Sequence, residues 1–269
     1  MQKRPARVRS DTAKAAPRKS VAESLGPKLP LHGPGSLAAR FIVPPFSVLN
    51  AQHGYWEEKQ TRWIHVFDPL LCEIVYQWHM PSEGGHILDP FAGQSARGIV
   101  AGCLGYDYTG FEPSREKTKA NERQALLAQV HYPAMKPPKW ICADPASLDK
   151  HLPARMQYDL IFTDLPVYQS KQATSKCKAR YAKILGQAIA RLKETRFLVV
   201  MARGVCGEDG AIEFSPDDVV GLTKPFGIHY YNRAVLLMAG NERERLMCFL
   251  KGTPKDIPAD LGVLDCVDR

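Results

Sequence analysis

Four short apolar runs, each carrying an acidic residue near the point where the chain turns, constrain this sequence most. They are "HILDPF" (86–91), "DYTGFE" (107–112), "KWICAD" (139–144) and "YDLIFTD" (158–164). Each is too short for a stable helix and the right length for a buried strand. Between them lie segments with helical spacing. "ARGIVAGCLG" ends at Gly105, "SREKTKANERQALLAQV" is opened by Ser114, and "YAKILGQAIARL" precedes a fifth strand, "RFLVVMAR" (196–203). Strands alternating with helices predict an α/β, doubly wound, Rossmann-like sheet that is mostly parallel. "IHYYNRAVLLMA" and "ERLMCFLKG" have no helix between them, so they read as a C-terminal antiparallel hairpin on that sheet. Upstream, "DPLLCEIVYQWHM" (68–80) places Leu71, Ile74, Val75 and Trp78 on one helical face, with Asp68 as N-cap and Pro69 at the first helical position.

Charge divides the chain. Residues 1–30 carry eight Lys and Arg against Asp11 and Glu23, so 8 − 2 = +6 of the net +8 sits there. Such a segment, rich in Pro, Ala and Ser, cannot bury enough apolar surface to fold. Residues 1–38 are therefore expected to be a disordered basic tail, 39–255 a single domain and 256–269 a C-terminal tail. A basic tail adds non-specific, salt-sensitive affinity for the phosphates of nucleic acid. The seven cysteines form no C-x-x-C pair and no zinc-type Cys/His spacing, so reduced thiols and no metal are expected. No apolar run is long enough to span a membrane, and the basic N-terminus lacks the apolar core of a signal peptide; no membrane association and a cytoplasmic location are expected.

The turn after the first strand reads as a nucleoside site. Ligands of doubly wound sheets sit outside the carboxyl ends of the strands, where a glycine lets the backbone approach closely and an acid ending the second strand takes the ribose hydroxyls. Here Asp89 opens the turn, Gly93 lies within it, and Glu112 ends the second strand 23 residues after Asp89. Gln94 and Ser95 follow Gly93, so the G-x-G-x-x-G pattern is absent. This argues against a pyrophosphate and for a cofactor with one nucleoside.

"LDPFAGQSARGIVAG" resembles the D-P-F-x-G-x-G cofactor motif of S-adenosylmethionine-dependent DNA amino-methyltransferases, and "FDPLLCEIVYQW" resembles the accessory helix before that motif. With "PPFSVLNAQHGYW" upstream, the chain is similar to a phage-type DNA methylase group over most of residues 40–252. The resemblance implies a class I methyltransferase sheet, S-adenosylmethionine as cofactor and an exocyclic amine of adenine or cytosine as acceptor. It also assigns residues. Asp89 and Gly93 would shape the methionine pocket and Phe91 would pack near the cofactor. Glu112 would hold the ribose, Asp144 would contact the adenine amine, and Asp68 and Pro69 would border the methionine end.

The family's catalytic tetrapeptide, an acid or amide followed by Pro-Pro-aromatic, follows the fourth strand. Here Asp164-Leu165-Pro166-Val167 stands in that place. On one alignment this is a variant loop: Asp164 accepts from the amine, a backbone carbonyl near Pro166 assists, and Tyr168 stacks on the base in place of Val167. On the other, favoured here, "DLPVYQS" matches the segment that continues after Pro-Pro-Tyr in related phage methylases, and the tetrapeptide has been deleted. The "IHV" before Phe67 and the "AGNERE" between the last two strands are also shorter than the loops of that group. Pro44-Pro45-Phe46 is a poor substitute, because it does not follow the corresponding strand. Three functions stay open: an active DNA amino-methyltransferase, an inactive relative that binds DNA or a protein partner, and transfer to RNA or a modified base.

Overall fold

The computed structural model of the protein describes residues 41–43, 48–50, 69–166, 171–206, 212–237 and 243–261. The basic tail, Asp68, the segment from Val167 to Ser170, most of residues 39–64 and the stretch after 261 lie outside them.

One nine-stranded sheet organises these residues. Its strands are β1 (Phe41–Val43), β2 (Val48–Asn50), β3 (His86–Asp89), β4 (Asp107–Phe111), β5 (Lys139–Ile141), β6 (Tyr158–Asp164), β7 (Leu192–Ala202), β10 (Ile228–Leu237) and β11 (Arg243–Lys251). The order is β1-β2-β10-β11-β7-β6-β3-β4-β5. β3, β4, β5, β6 and β7 pair in parallel, and β11 lies antiparallel to both β7 and β10. β2 pairs with β10 in parallel, which extends the sheet past the hairpin. A small antiparallel pair, β8 (Val205–Cys206) and β9 (Ile212–Phe214), stands apart.

The expected alternation is present, with shifted boundaries. β5 is three residues long and stops at Ile141, because Asp144 begins a 3₁₀ turn instead of closing the strand. The helix before β7 starts well before Tyr181, running Lys171–Ala190. β7 begins at Leu192, next to the helix end, and its register against β6 shifts between Leu192 and Phe197, where Thr195 is a non-glycine residue at φ 57°.

The helices are α1 (Pro69–His79), α2 (Ala96–Cys103), α3 (Arg115–His131), α4 (Leu148–His151), α5 (Lys171–Ala190) and α6 (Asp218–Thr223). Two cores result, one on each face. α1, α2 and α3 cover one side of the sheet with Ile74, Val75, Tyr76, Ile99, Val100 and Ala128; α4, α5 and α6 cover the other with Leu148, Leu185, Ile189 and Val219. Beyond β11 the chain stays on the first core, where Ile257 and Leu261 are buried. Among the described residues, no helix is long and apolar enough to cross a membrane.

The chain runs from β3 outward through β4 to β5, then crosses back to lay β6 against the other side of β3. The strand order therefore reverses between β3 and β6. The carboxyl ends at such a point form a crevice by construction.

Candidate active site

A cavity of about 400 Å³ fills that crevice. Its walls come from the first residues past the strands: Phe91 and Gly93 after β3, Glu112 after β4, Asp164 at the end of β6 and Arg203 after β7. Residues far apart in sequence meet there because parallel strands all end on one side.

Asp89 is the anchor beneath the cavity. It is fully buried, and its carboxylate accepts four hydrogen bonds. Oδ1 takes Thr163 Oγ1 at 2.7 Å and the Phe91 N–H at 3.2 Å; Oδ2 takes Arg97 Nε at 2.6 Å and the Tyr108 hydroxyl at 2.7 Å. These contacts tie β3, β4, β6 and α2 together. Asp89 therefore shapes the pocket by holding its walls, with its own lone pairs spent on the protein.

Arg97 was not singled out from sequence. It is 4% exposed and also donates to the carbonyls of Phe91 at 2.8 Å and Ala92 at 3.0 Å. Burial disfavours its charge, but Asp89, Tyr108 and Asp164 more than offset this and hold its pKa above the ordinary arginine value. The available signal was a lone arginine in the small, apolar helix "ARGIVAGC", every residue of which is buried. A buried guanidinium needs a carboxylate, and Asp89 was the near one.

Gly93 turns the chain toward α2 at φ 55°, a left-handed conformation that favours glycine. A Cβ placed there would meet nothing closer than the Phe91 carbonyl at 3.9 Å. The position is open on the cavity side, as a cradle for a ligand must be. The Gly93 carbonyl accepts from Asn121 Nδ2 at 3.1 Å, and Ser95 Oγ donates to Gln124 Oε1, so α3 braces the turn.

Glu112 is 5% exposed and lines the cavity. Oε1 accepts the Ser114 N–H at 2.7 Å; among the described residues no hydrogen bond engages Oε2. Asp144 is placed differently. It caps the 3₁₀ turn through the Ala146 N–H at 2.8 Å and pairs with Arg180 at 2.6 Å. Burial would raise its pKa, but the Ala146 N–H and the Arg180 guanidinium hold it below the usual carboxylate value. Its neighbours Pro145 and Arg180 line the cavity and Asp144 does not. Pro69 begins α1 and is not part of the lining.

Asp164 and Pro166 both line the cavity. Burial pushes the Asp164 carboxyl above the usual carboxylate range; Arg97 and Arg203 pull it back and Asp89 pushes it further up. Pro166 is fixed through its carbonyl, which accepts the hydroxyl of Tyr181 from α5. Tyr181 is a second residue that sequence reading passed over. It lies edge-on to Phe91, with ring centroids 5.7 Å apart. Val167 and Tyr168 lie outside the described residues.

No family model and no curated protein sequence matches the chain. Solved structures do. Magnesium protoporphyrin IX methyltransferase (ChlM) from Synechocystis PCC 6803, with SAH bound, is 15% identical over 74% of this chain and 89% of its own, at a TM-score of 0.51. TrmN from Thermus thermophilus is 16% identical over 69% of this chain, at a TM-score of 0.50; the match spans 49% of TrmN. At these identities the likeness establishes the architecture, which is the class I methyltransferase fold.

Proposed function

We propose that this protein is an S-adenosylmethionine-dependent methyltransferase acting on an exocyclic amine of a DNA base, adenine N6 or cytosine N4. One observation carries the reading: Asp164, closing β6, and Glu112, directly after β4, line one cavity with the left-handed Gly93 turn between them. A nucleoside needs the turn and the acid; an amine acceptor needs the second carboxylate at the reacting end.

The residues present fit the cofactor. Gly93 leaves the space a Cβ would narrow, Glu112 has one oxygen unspent for ribose hydroxyls, and Phe91 offers an apolar wall. S-adenosylmethionine, when bound, supplies an electrophilic methyl group on a sulfonium.

The chain's own work is on the acceptor. A base amine is a poor nucleophile because its lone pair is delocalised into the ring. Hydrogen bonds from that amine to the Asp164 carboxylate and to a backbone carbonyl beside it localise the lone pair on nitrogen. Acceptors fixed in place by the fold stabilise this arrangement far more than mobile solvent does. The base must leave the duplex to reach them. In the sequence, Tyr168 is the aromatic available to stack on it, at about 1–3 kcal/mol per base. The exposed cations Lys117 and Arg203 at the cavity, with the +6 tail, suit a phosphate-bearing acceptor.

A second reading has its own support. The tetrapeptide aromatic is replaced by Val167, and the Pro166 carbonyl is already committed to Tyr181. On it the protein keeps the cofactor site, and DNA or a protein partner, without transfer. Labelled S-adenosylmethionine with a long unmethylated DNA, digested to nucleosides and read by mass spectrometry, separates the two. N6-methyladenine or N4-methylcytosine supports the enzyme. Cofactor binding by calorimetry without either product, on DNA or on RNA, supports the inactive relative. Methylated RNA with unmethylated DNA would move the acceptor to RNA.

A further inference from the structure

We infer that Tyr181 is the positioning residue for the stretch Asp164–Pro166 at the end of β6, which rests on the proposed transfer reaction for its purpose but on geometry for its existence. The stretch Asp164–Pro166 brings both of its end residues to the cavity wall. It is held from two directions. β7 takes one side, through the Asp164–Met201 pairing and the Leu165 N–H donating to the Met201 carbonyl at 3.1 Å. Tyr181 takes the other, donating its hydroxyl to the Pro166 carbonyl from fifteen residues away.

The clamp is itself fixed. Tyr181 is 3% exposed, and its ring stands between Phe91 at 5.7 Å and Phe214 at 6.1 Å, edge-on to both. Phe91 belongs to the Gly93 turn, and its N–H is bonded to Thr163 Oγ1 at 3.1 Å. Tyr181 thus touches the cofactor turn with its ring and the acceptor loop with its hydroxyl. Its neighbour Arg180 pairs with Asp144 and lines the same cavity. One turn of α5 sets the distance between the two halves of the site. Rings in edge contact resist rotation, which fixes the hydroxyl, and a proline fixes its own φ but not ψ, so the direction of the Pro166 carbonyl depends on that hydroxyl and is freed if it is lost.

Tyr181→Phe removes the hydroxyl and keeps the ring. Two readouts on the full-length protein test the assignment. Hydrogen exchange followed by mass spectrometry should show the peptide over 163–170 exchanging at least about tenfold faster in the variant, with peptides over 86–95 and 107–112 unchanged. Unchanged exchange at 163–170, or a uniform rise across all three, would overturn the positioning role whether or not the protein transfers methyl groups. In the methyl-transfer assay, kcat should fall about tenfold or more while KM for S-adenosylmethionine stays within about twofold. A wild-type kcat in Y181F overturns the inference and leaves the proposed reaction standing. Absence of transfer by the wild-type chain counts against the reaction, and the exchange data then decide Tyr181 alone.

Discussion

Arg97 Nε lies 2.6 Å from Asp89 Oδ2, with 5% and 0% of the two side chains exposed. Neither charge can turn to water, so each is stable only while the other is present. Removing one partner of such a pair costs about 3–5 kcal/mol, because the remaining charge stays buried and alone. Arg97→Met should therefore lower the urea unfolding free energy by about that amount. Adding Asp89→Asn to it should recover part of the loss, since Asn neither needs a counter-charge nor loses every hydrogen bond. A single variant as stable as the wild type would show that the pair does not hold the crevice together.

Gly93 separates folding from binding. Its φ of 55° costs a residue with a Cβ about 1–2 kcal/mol, and no atom lies within 3.9 Å of that Cβ. Gly93→Ala should fold with a melting temperature lowered by about 2–8 °C. Its affinity for S-adenosylmethionine should fall about tenfold or more, measured by calorimetry, because the added methyl group enters the cradle. Undiminished affinity would place the cofactor elsewhere in the cavity.

The parts legible in the sequence were those written in local pattern. The four parallel strands, the Gly93 turn and the C-terminal hairpin are set by residues within a few positions of one another, and the structure has them, although β4 and β5 stop at Phe111 and Ile141, short of Glu112 and Asp144. The partners that complete the site come from far along the chain. Arg97 reaches Asp89 across eight residues, but Thr163 and Tyr181 reach Asp89 and Pro166 over 74 and 15. Thr163 read as one more residue of an apolar strand, and Tyr181 as the start of a helix. Only the packing of β6 against β3 and of α5 over the loop gives them roles. Asp144 shows the reverse case: one residue type serves both as an adenine contact and as a cap, and the structure gives it the cap and Arg180. β1 and β2 join the sheet through a parallel pairing with a strand about 190 residues later, which no local pattern encodes.

His79 should give acid sensitivity to the fold. It is fully buried at the end of α1, with Nδ1–H donating to the Val75 carbonyl at 2.9 Å and its ring edge-on to Phe197 at 5.0 Å. Burial pushes its pKa down to about 4 from 6.5, partly countered by the Val75 carbonyl. The unfolded chain thus binds this proton more readily than the folded one. The contribution to stability is complete above about pH 6.5 and is lost as pH falls toward about 4, an effect of about 3 kcal/mol. His79→Phe keeps an aromatic ring and cannot titrate. Urea midpoints between about pH 7 and about pH 4.5 should fall more steeply in the wild type than in this variant. Parallel curves would assign the acid response to other groups.

Asp164 should act in the opposite sense on stability and set the acid limb of activity. Burial raises its folded pKa above the unfolded value, so the ionised carboxylate is a cost to folding. Stability from this group is complete below the unfolded pKa and is lost as pH rises through the folded one. Asp164→Asn removes the charge at nearly the same volume, and near neutral pH it should be as stable as the wild type or more so. Transfer needs the ionised form as a hydrogen-bond acceptor, so activity should fall as pH drops through a value above the usual carboxylate range. Asp164→Ala removes both acceptor oxygens, so its transfer should fall about 100-fold or more while cofactor affinity is retained. Two measurements decide it: methyl incorporation against pH for the wild type and Asp164→Ala, and urea midpoints for the wild type and Asp164→Asn at about pH 7. Full transfer by Asp164→Ala would remove Asp164 from the reaction, and an Asp164→Asn variant less stable than the wild type at neutral pH would mean that the carboxylate is held there for the fold.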